Sequence, residues 1–274
     1  MNKFMNARYL LAVLLVGMVG CVQEHPKHVD FHPQPQAPVK QASPAKAGLG
    51  GSSQARTEII GHSTQGREIT MTMFGTGARP VLVMGGIHGS EPTSVDVAQG
   101  VLAALKTNPA RAGTTAVAVI PVANPDGYLI RSRYNARGVD LNRNFPANNW
   151  RKAPATGRRN YGGNPLSEPE SQAIASVIDT LQPRLIISIH SIDDGKHCNN
   201  YDGPAEPIAK VMSQYNGYQV TATMGYPTPG SLGSYAGIDK QIPIITLELP
   251  RSVGGPKAWE QNEAAIFAAI TAAQ

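Results

Sequence analysis

The feature that most constrains this chain is a short apolar run that stops on two glycines. Pro80-Val-Leu-Val-Met84 contains no polar residue, and Gly85-Gly86 follows at once. A run without polar alternation reads as a strand buried on both faces, and Gly-Gly reads as the turn that ends it. Thr115 to Val122, Arg184 to Ile189 and Ile242 to Leu247 repeat the pattern. Helical periodicity lies between them. Val97, Val101, Leu102 and Leu105 recur at helical spacing within Ser94 to Thr107. Ser167-Glu-Pro-Glu170 reads as a capping box that opens a helix, with Ile174, Val177, Ile178 and Leu181 on one face. Pro207 to Tyr215 reads as a further helix, and Trp259 to Ala273 as a closing Ala-rich one. Two more strands, Thr57 to Ser63 and Arg67 to Phe74, flank the turn Thr64-Gln-Gly66. Buried strands alternating with helices predict a single α/β domain. Its central sheet is mixed and mainly parallel, with helices on both faces.

The amino-terminal fifth reads differently. Lys3 and Arg8 precede an almost unbroken apolar run, Tyr9 to Val19, which is short for a membrane span and suits a secretory signal. The run ends Met18-Val-Gly-Cys21, which resembles the lipobox of bacterial lipoproteins. That resemblance implies cleavage before Cys21 and attachment of lipid to its thiol. It also implies export and a lipid anchor in the cell envelope. Val22 stands where an acidic residue retains some lipoproteins in the inner membrane, which points to the outer membrane where a cell has one. Residues 21–55 are rich in Pro, Gln, Ala, Lys and Gly, and read as a flexible tether. His25, His28 and His32 within it read as solvated. The expected organisation is therefore a signal peptide over 1–20, a tether over 21–55 and a catalytic domain over 56–274.

Charge argues against one class of partner. The net charge is +5, but residues 1–50 hold five basic and two acidic residues, leaving 19 basic against 17 acidic beyond them. No concentrated basic face remains, so nucleic acid is not an expected partner. The two cysteines, Cys21 and Cys198, do not suggest a disulfide framework.

Chemistry collects where the apolar runs end. His88 and Glu91 follow the Gly-Gly turn, three positions apart, and can both reach one ion at about 2.0–2.2 Å, which suits zinc. His190 ends the run Leu185-Ile-Ile-Ser-Ile-His190. Two histidines and a glutamate with one open position form a catalytic rather than a structural ligand set. Glu248 ends another apolar strand. It reads either as a base beside a metal-bound water or as a partner of Arg251. A long stretch, 123–166, is dense in Asn, Arg, Gly and Pro, and so long a connection inside a compact domain is usually functional. Arginines with Asn in a cleft suit the capture of a carboxylate. Arg131 and Arg137 read instead as solvated. Asp140 can accept the free ring N–H of a ligand histidine.

The ordered set His88-x-x-Glu91, Asn124-Pro-Asp-Gly127, Asp140-x-Asn-Arg143, His190-Ser191 and Thr246-x-Glu248 resembles the zinc carboxypeptidase (carboxypeptidase A-like) family. Gly61-x-Ser-x-x-Gly-Arg67 is similar to that family's first hairpin. The resemblance covers about residues 57–270 and implies one zinc ion on His88, Glu91 and His190, with Glu248 as general base. It places Arg133 as the group polarising the substrate carbonyl, and Asn142 and Arg143 on the substrate's terminal carboxylate. Tyr226 would close over bound substrate, and Asp140 would orient His88. Asn200-Tyr-Asp-Gly-Pro-Ala205 and Gly225 to Tyr235 resemble the murein tripeptide amidase branch. The expected reaction is hydrolysis of an amide next to a carboxylate-bearing residue, in particular the γ-D-glutamyl–diaminopimelate bond of peptidoglycan peptides. A C-terminal peptide carboxypeptidase, an N-acyl amino acid deacylase and a non-catalytic peptidoglycan-binding lipoprotein are the alternatives. Cys198 reads as a buried inert thiol that can also line the cleft.

Overall fold

The structure, a computed structural model, describes residues 55–153, 159–222 and 224–274. The expectations for the signal segment, Cys21, the tether and its three histidines lie outside the described residues.

Eight strands form one sheet in the order β1-β2-β4-β3-β5-β8-β6-β7. In chain order these are β1 (Arg56–His62), β2 (Glu68–Phe74), β3 (Val81–Met84), β4 (Val117–Ile120), β5 (Leu185–Ile192), β6 (Cys198–Asp202), β7 (Gln219–Thr221) and β8 (Ile244–Pro250). The four central strands, β4, β3, β5 and β8, run parallel, as does the edge pair β6–β7. The pairs β1–β2, β2–β4 and β6–β8 are antiparallel. The helices are α1 (Pro92–Thr107), α2 (Pro125–Leu129), α3 (Pro169–Leu181), α4 (Glu206–Asn216) and α5 (Gly255–Ala272). The expected α/β architecture is what the chain adopts.

Both faces of the central strands are dry, which is why they read as unbroken apolar runs. Val81 and Val83 pack towards α1 and α5, while Leu82 and Met84 pack towards α3 and Phe145. The same alternation sorts β5 and β8. Ile187, Ile189, Leu247 and Leu249 join the first layer. Successive side chains point to opposite faces, so His190 and Glu248 fall on the other side.

Two local expectations need correction, and two strands were missed. Ser167-Glu-Pro-Glu170 does not act as a capping box. α3 begins at Pro169 after Glu168, with no side-chain cap. Ser167 Oγ bonds to Glu168 Oε1, and Glu170 accepts the Thr64 N–H at 2.8 Å and Asn135 Nδ2 at 3.1 Å. Tertiary donors thus took the groups that would have capped the helix. Strands β6 and β7 carry no hydrophobic alternation and escaped the sequence reading. β6 tolerates its buried asparagines because their amides are matched. Asn199 pairs reciprocally with Asn216, and Asn200 Nδ2 donates to the Thr221 carbonyl at 2.9 Å. Glu248 does not pair with Arg251, which reaches Asp193 at 2.9 Å.

Candidate active site

The turn after β3 is fixed by Ser94 at the start of α1. Its Oγ accepts the Gly86 N–H at 3.0 Å and donates to the Glu91 carbonyl at 2.6 Å. Gly89 lets the turn lie directly on α2, since a Cβ there would sit 1.9 Å from the Gly127 carbonyl carbon. Glu91 occupies the position just before α1, where the partial positive end of the helix favours a carboxylate. The Glu91 side chain caps nothing and turns to the two histidines instead.

Three donor atoms converge there. His88 Nδ1 lies 2.9 Å from Glu91 Oε1, His190 Nδ1 lies 3.1 Å from Glu91 Oε2, and the two Nδ1 atoms are 3.2 Å apart. Ligands each about 2.1 Å from a tetrahedral ion are about 3.4 Å from one another, so the spacing fits one small divalent ion. All three side chains are buried. Among the described residues this is the only such cluster of His, Cys, Asp and Glu. His88, Glu91 and His190 are therefore brought together as the sequence predicted.

The second nitrogen of His88 faces Asp140 Oδ1 at 3.1 Å, so Asp140 orients the ring. Asp140 also accepts from Arg133 Nε at 2.9 Å, and Arg133 Nη1 lies 3.6 Å from Glu91 Oε1. The charges reinforce one another. Burial opposes the charge on His88, but the Glu91 and Asp140 carboxylates outweigh it and raise its pKa to about 9. Burial likewise opposes ionisation of Glu91, yet His88 and His190 hold it well below the usual carboxylate range. Asp140 is held low against its burial by His88, Arg133 and Arg143. Glu248 behaves in the opposite way. Burial, followed in part by the nearby Glu91 carboxylate, pushes it up, which makes it a better proton acceptor than an exposed glutamate.

A cavity of about 610 Å³ joins these groups. Its wall includes His88, Glu91 and His190 together with Glu248, Arg133, Asn142, Arg143 and Tyr226. Asn142 Oδ1 accepts the Leu232 N–H at 2.8 Å, which leaves its Nδ2 as the donor. Arg143 is buried, and its Nη1 donates to the Asn142 carbonyl at 2.6 Å. Among the described residues it forms no ion pair within 4 Å, so a buried cation is left for an incoming anion. Tyr226 is exposed at the cavity wall. Arg131 stacks over Tyr128 and Arg137 approaches Glu168 at 3.7 Å, so neither enters the site.

Two contributors were not anticipated. The Ser191 N–H donates to Glu91 Oε2 at 3.1 Å and fixes the carboxylate from the strand that carries His190. Asp126, named only within the Asn124-Pro-Asp-Gly127 motif, accepts from Ser63 Oγ at 2.7 Å and the Gln65 N–H at 2.9 Å, and pairs with Arg67 at 2.5 Å. It ties the first hairpin to the loop behind the site. A carboxylate in a turn next to glycine gives no sign of a partner sixty residues away.

Comparison with known proteins agrees with this geometry. Residues 51–202 match the family described as zinc carboxypeptidase. Murein peptide amidase A of Escherichia coli (strain K12) is 34% identical over 184 residues, covering 62% of this chain and 70% of the relative. Murein peptide amidase A of Vibrio campbellii is 32% identical over 184 residues, covering 62% and 68%. The crystal structure of the murein-tripeptide amidase from Escherichia coli O157 superposes with a TM-score of 0.62 at 28% identity, covering 79% of this chain and 91% of that one. The carboxypeptidase A of Helicoverpa armigera, at 24% identity, shares the fold with a TM-score of 0.69 over 81% of this chain and 69% of that one.

Proposed function

The chain belongs to the zinc carboxypeptidase family, and from that premise we propose that it is a zinc-dependent amidase of murein peptides. The observation that carries the reading is the convergence of two imidazoles and one carboxylate in a cavity that also holds a buried, unpaired Arg143 and a buried Glu248. His88, Glu91 and His190 would hold one zinc ion. When bound, zinc supplies Lewis acidity, polarising a carbonyl and acidifying water.

The protein's own groups do the rest. Arg143 and the Asn142 amide hold the carboxylate of the residue beyond the scissile bond, which sets the amide in register. Arg133, tied to Asp140, presents its guanidinium to the oxygen on which negative charge develops. Glu248 takes a proton from water and returns it to the leaving nitrogen. Asp140 keeps the His88 ring in place, and Tyr226 covers the open side.

The bond cut is the γ-D-glutamyl–diaminopimelate amide. The likeness to the three murein amidases named above supports this choice, as does the cavity's single carboxylate clamp. A non-catalytic binding role fits less well, because ligands and base are all present. The Cys21 reading adds a lipid anchor in the envelope, where such peptides arise. Mass spectrometry of a peptidoglycan tripeptide incubated with zinc-loaded protein tests the reaction. Release of free diaminopimelate is expected, and an intact tripeptide would overturn the reading. Palmitate labelling of wild type against Cys21→Ser tests the anchor.

A further inference from the structure

One buried polar cluster beside the site has no part in the chemistry above. It centres on Asn135, in the loop that carries both Arg133 and Asp140. Residues 131–140 hold no helix or strand, and Ala136, Arg137 and Gly138 are exposed. Asn135 is nevertheless buried, as are Glu168 and Glu170 at the start of α3. All three stand outside the cavity wall.

The Asn135 amide is fully engaged. Its Oδ1 accepts the Arg137 and Val139 N–H groups, both at 3.0 Å. Its Nδ2 donates to Glu168 Oε2 at 2.7 Å and Glu170 Oε2 at 3.1 Å, one hydrogen for each. Its backbone N–H closes the turn on the Val139 carbonyl at 3.0 Å. The carboxylates are gripped from the other side too, Glu168 by Ser167 Oγ at 2.8 Å and Glu170 by the Thr64 N–H at 2.8 Å. Two buried carboxylates facing one amide are costly to gather. An apolar side chain would anchor a surface loop without them, but apolar packing has no direction. Hydrogen bonds do, so this cluster sets the orientation of the turn.

The group that needs the orientation lies two residues away. Arg133 stands between two anchors, Asn135 and Ser132, whose N–H donates to the Gly127 carbonyl at 2.9 Å. Arg133 runs out along one leg of the turn and Asp140 returns along the other, and the two meet at 2.9 Å. We propose that Asn135, clamped by Glu168 and Glu170, is the positioning residue that aims the Arg133 guanidinium into the cavity. The inference rests on the amide-hydrolysis reading above, and adds to it a residue that touches neither substrate nor metal. Aspartate at this position would set a third carboxylate against Glu168 and Glu170, and glutamine is one methylene longer.

Hydrolysis of a murein tripeptide by zinc-loaded Arg133→Ala, Asn135→Ala and the double variant tests the link. Arg133→Ala is expected to lose about 10²- to 10³-fold in kcat, as for one oxyanion donor. Asn135→Ala should lose about 10²-fold in kcat through a misplaced group, with KM unchanged because Arg143 and Asn142 keep the carboxylate. The double variant should be no slower than Arg133→Ala, since changes that act through one group do not add. Losses that multiply, or an Asn135→Ala enzyme as fast as wild type, would overturn the inference. Asn135→Ser is read in the same way where Asn135→Ala does not fold. Reversing both hydrogen bonds is the rescue. Asn135→Asp should be slow, and adding Glu168→Gln and Glu170→Gln should recover most of kcat. A triple variant as slow as Asn135→Asp would remove the clamp from Glu168 and Glu170. Phenylglyoxal labelling, mapped by mass spectrometry, reads Arg133 without turnover. Arg133 should react faster in Asn135→Ala than in wild type, with the exposed Arg251 as reference. That acceleration with an uncut tripeptide would leave Asn135 standing and remove the hydrolytic reading. Unchanged labelling would remove the positioning role.

Discussion

His190 and Glu248 stand opposite one another across the parallel pair β5–β8, in register. The pairing explains how two residues some sixty positions apart, proposed as a ligand and a base, face one cavity. Glu248 stays outside the converging trio of His88, Glu91 and His190. Glu248→Gln preserves shape while removing the proton acceptor. We expect kcat/KM on a murein tripeptide to fall about 10²- to 10⁴-fold, with zinc content unchanged by atomic absorption. Activity close to wild type would take Glu248 out of the mechanism.

Gly89 separates two of the three ligands and presses against the backbone of α2. A methyl group there meets the Gly127 carbonyl carbon at 1.9 Å and the Tyr128 nitrogen at 2.2 Å. Neither atom can swing aside as a side-chain tip could. Gly89→Ala should therefore destabilise the fold by about 1–3 kcal/mol in urea denaturation and weaken zinc binding. Gly163→Ala, where a Cβ meets nothing within 4 Å, is the matched control and should change neither. Zinc binding that survives Gly89→Ala would mean that the turn gives without disturbing His88 and Glu91.

Asp140 serves two partners, His88 at 3.1 Å and Arg133 at 2.9 Å. Replacing it by Asn leaves a weaker acceptor for the ring and no charge for the guanidinium. Competition with a chelator should show zinc affinity lower by about 10- to 100-fold. Activity at saturating zinc should also fall, because Arg133 loses its anchor. Full activity at saturating zinc would confine Asp140 to holding the metal.

These relationships differ in how far the sequence revealed them. His88, Glu91, His190 and Glu248 were legible because each sits where an apolar run stops, and a polar group in such a place needs a reason. The central strands were legible on the same ground. β6 was not, because its buried asparagines find their partners in α4 and β7, and no local pattern records that. The failed capping box at Ser167 has the same origin. Glu170 had the right spacing for a cap, but Thr64 and Asn135 were closer claimants. Asp126 stood out only as part of the Asn124-Pro-Asp-Gly127 motif. Its role comes from contacts that the fold creates with the first hairpin.

Cys198 offers a chemical probe of the cavity wall. It is buried opposite Glu248, lines the cavity, and is a free thiol. Burial, reinforced by the Glu248 carboxylate, pushes the thiol from 9.0 up to about 12. The thiolate is the reactive form, and its fraction falls as the pKa rises above the working pH. At pH 8 such a shift leaves far less thiolate than an unshifted group would have. In a Cys21→Ser protein, so that Cys198 is the sole reporter, alkylation by iodoacetamide at pH 8 should be much slower than that of glutathione. Removing the Glu248 charge lifts one of the two causes, so Glu248→Gln should speed the reaction measurably while burial keeps it slow. A rate like that of glutathione in the folded wild type would show that the wall opens to solvent at Cys198 and that the cavity is wider there than its packing indicates.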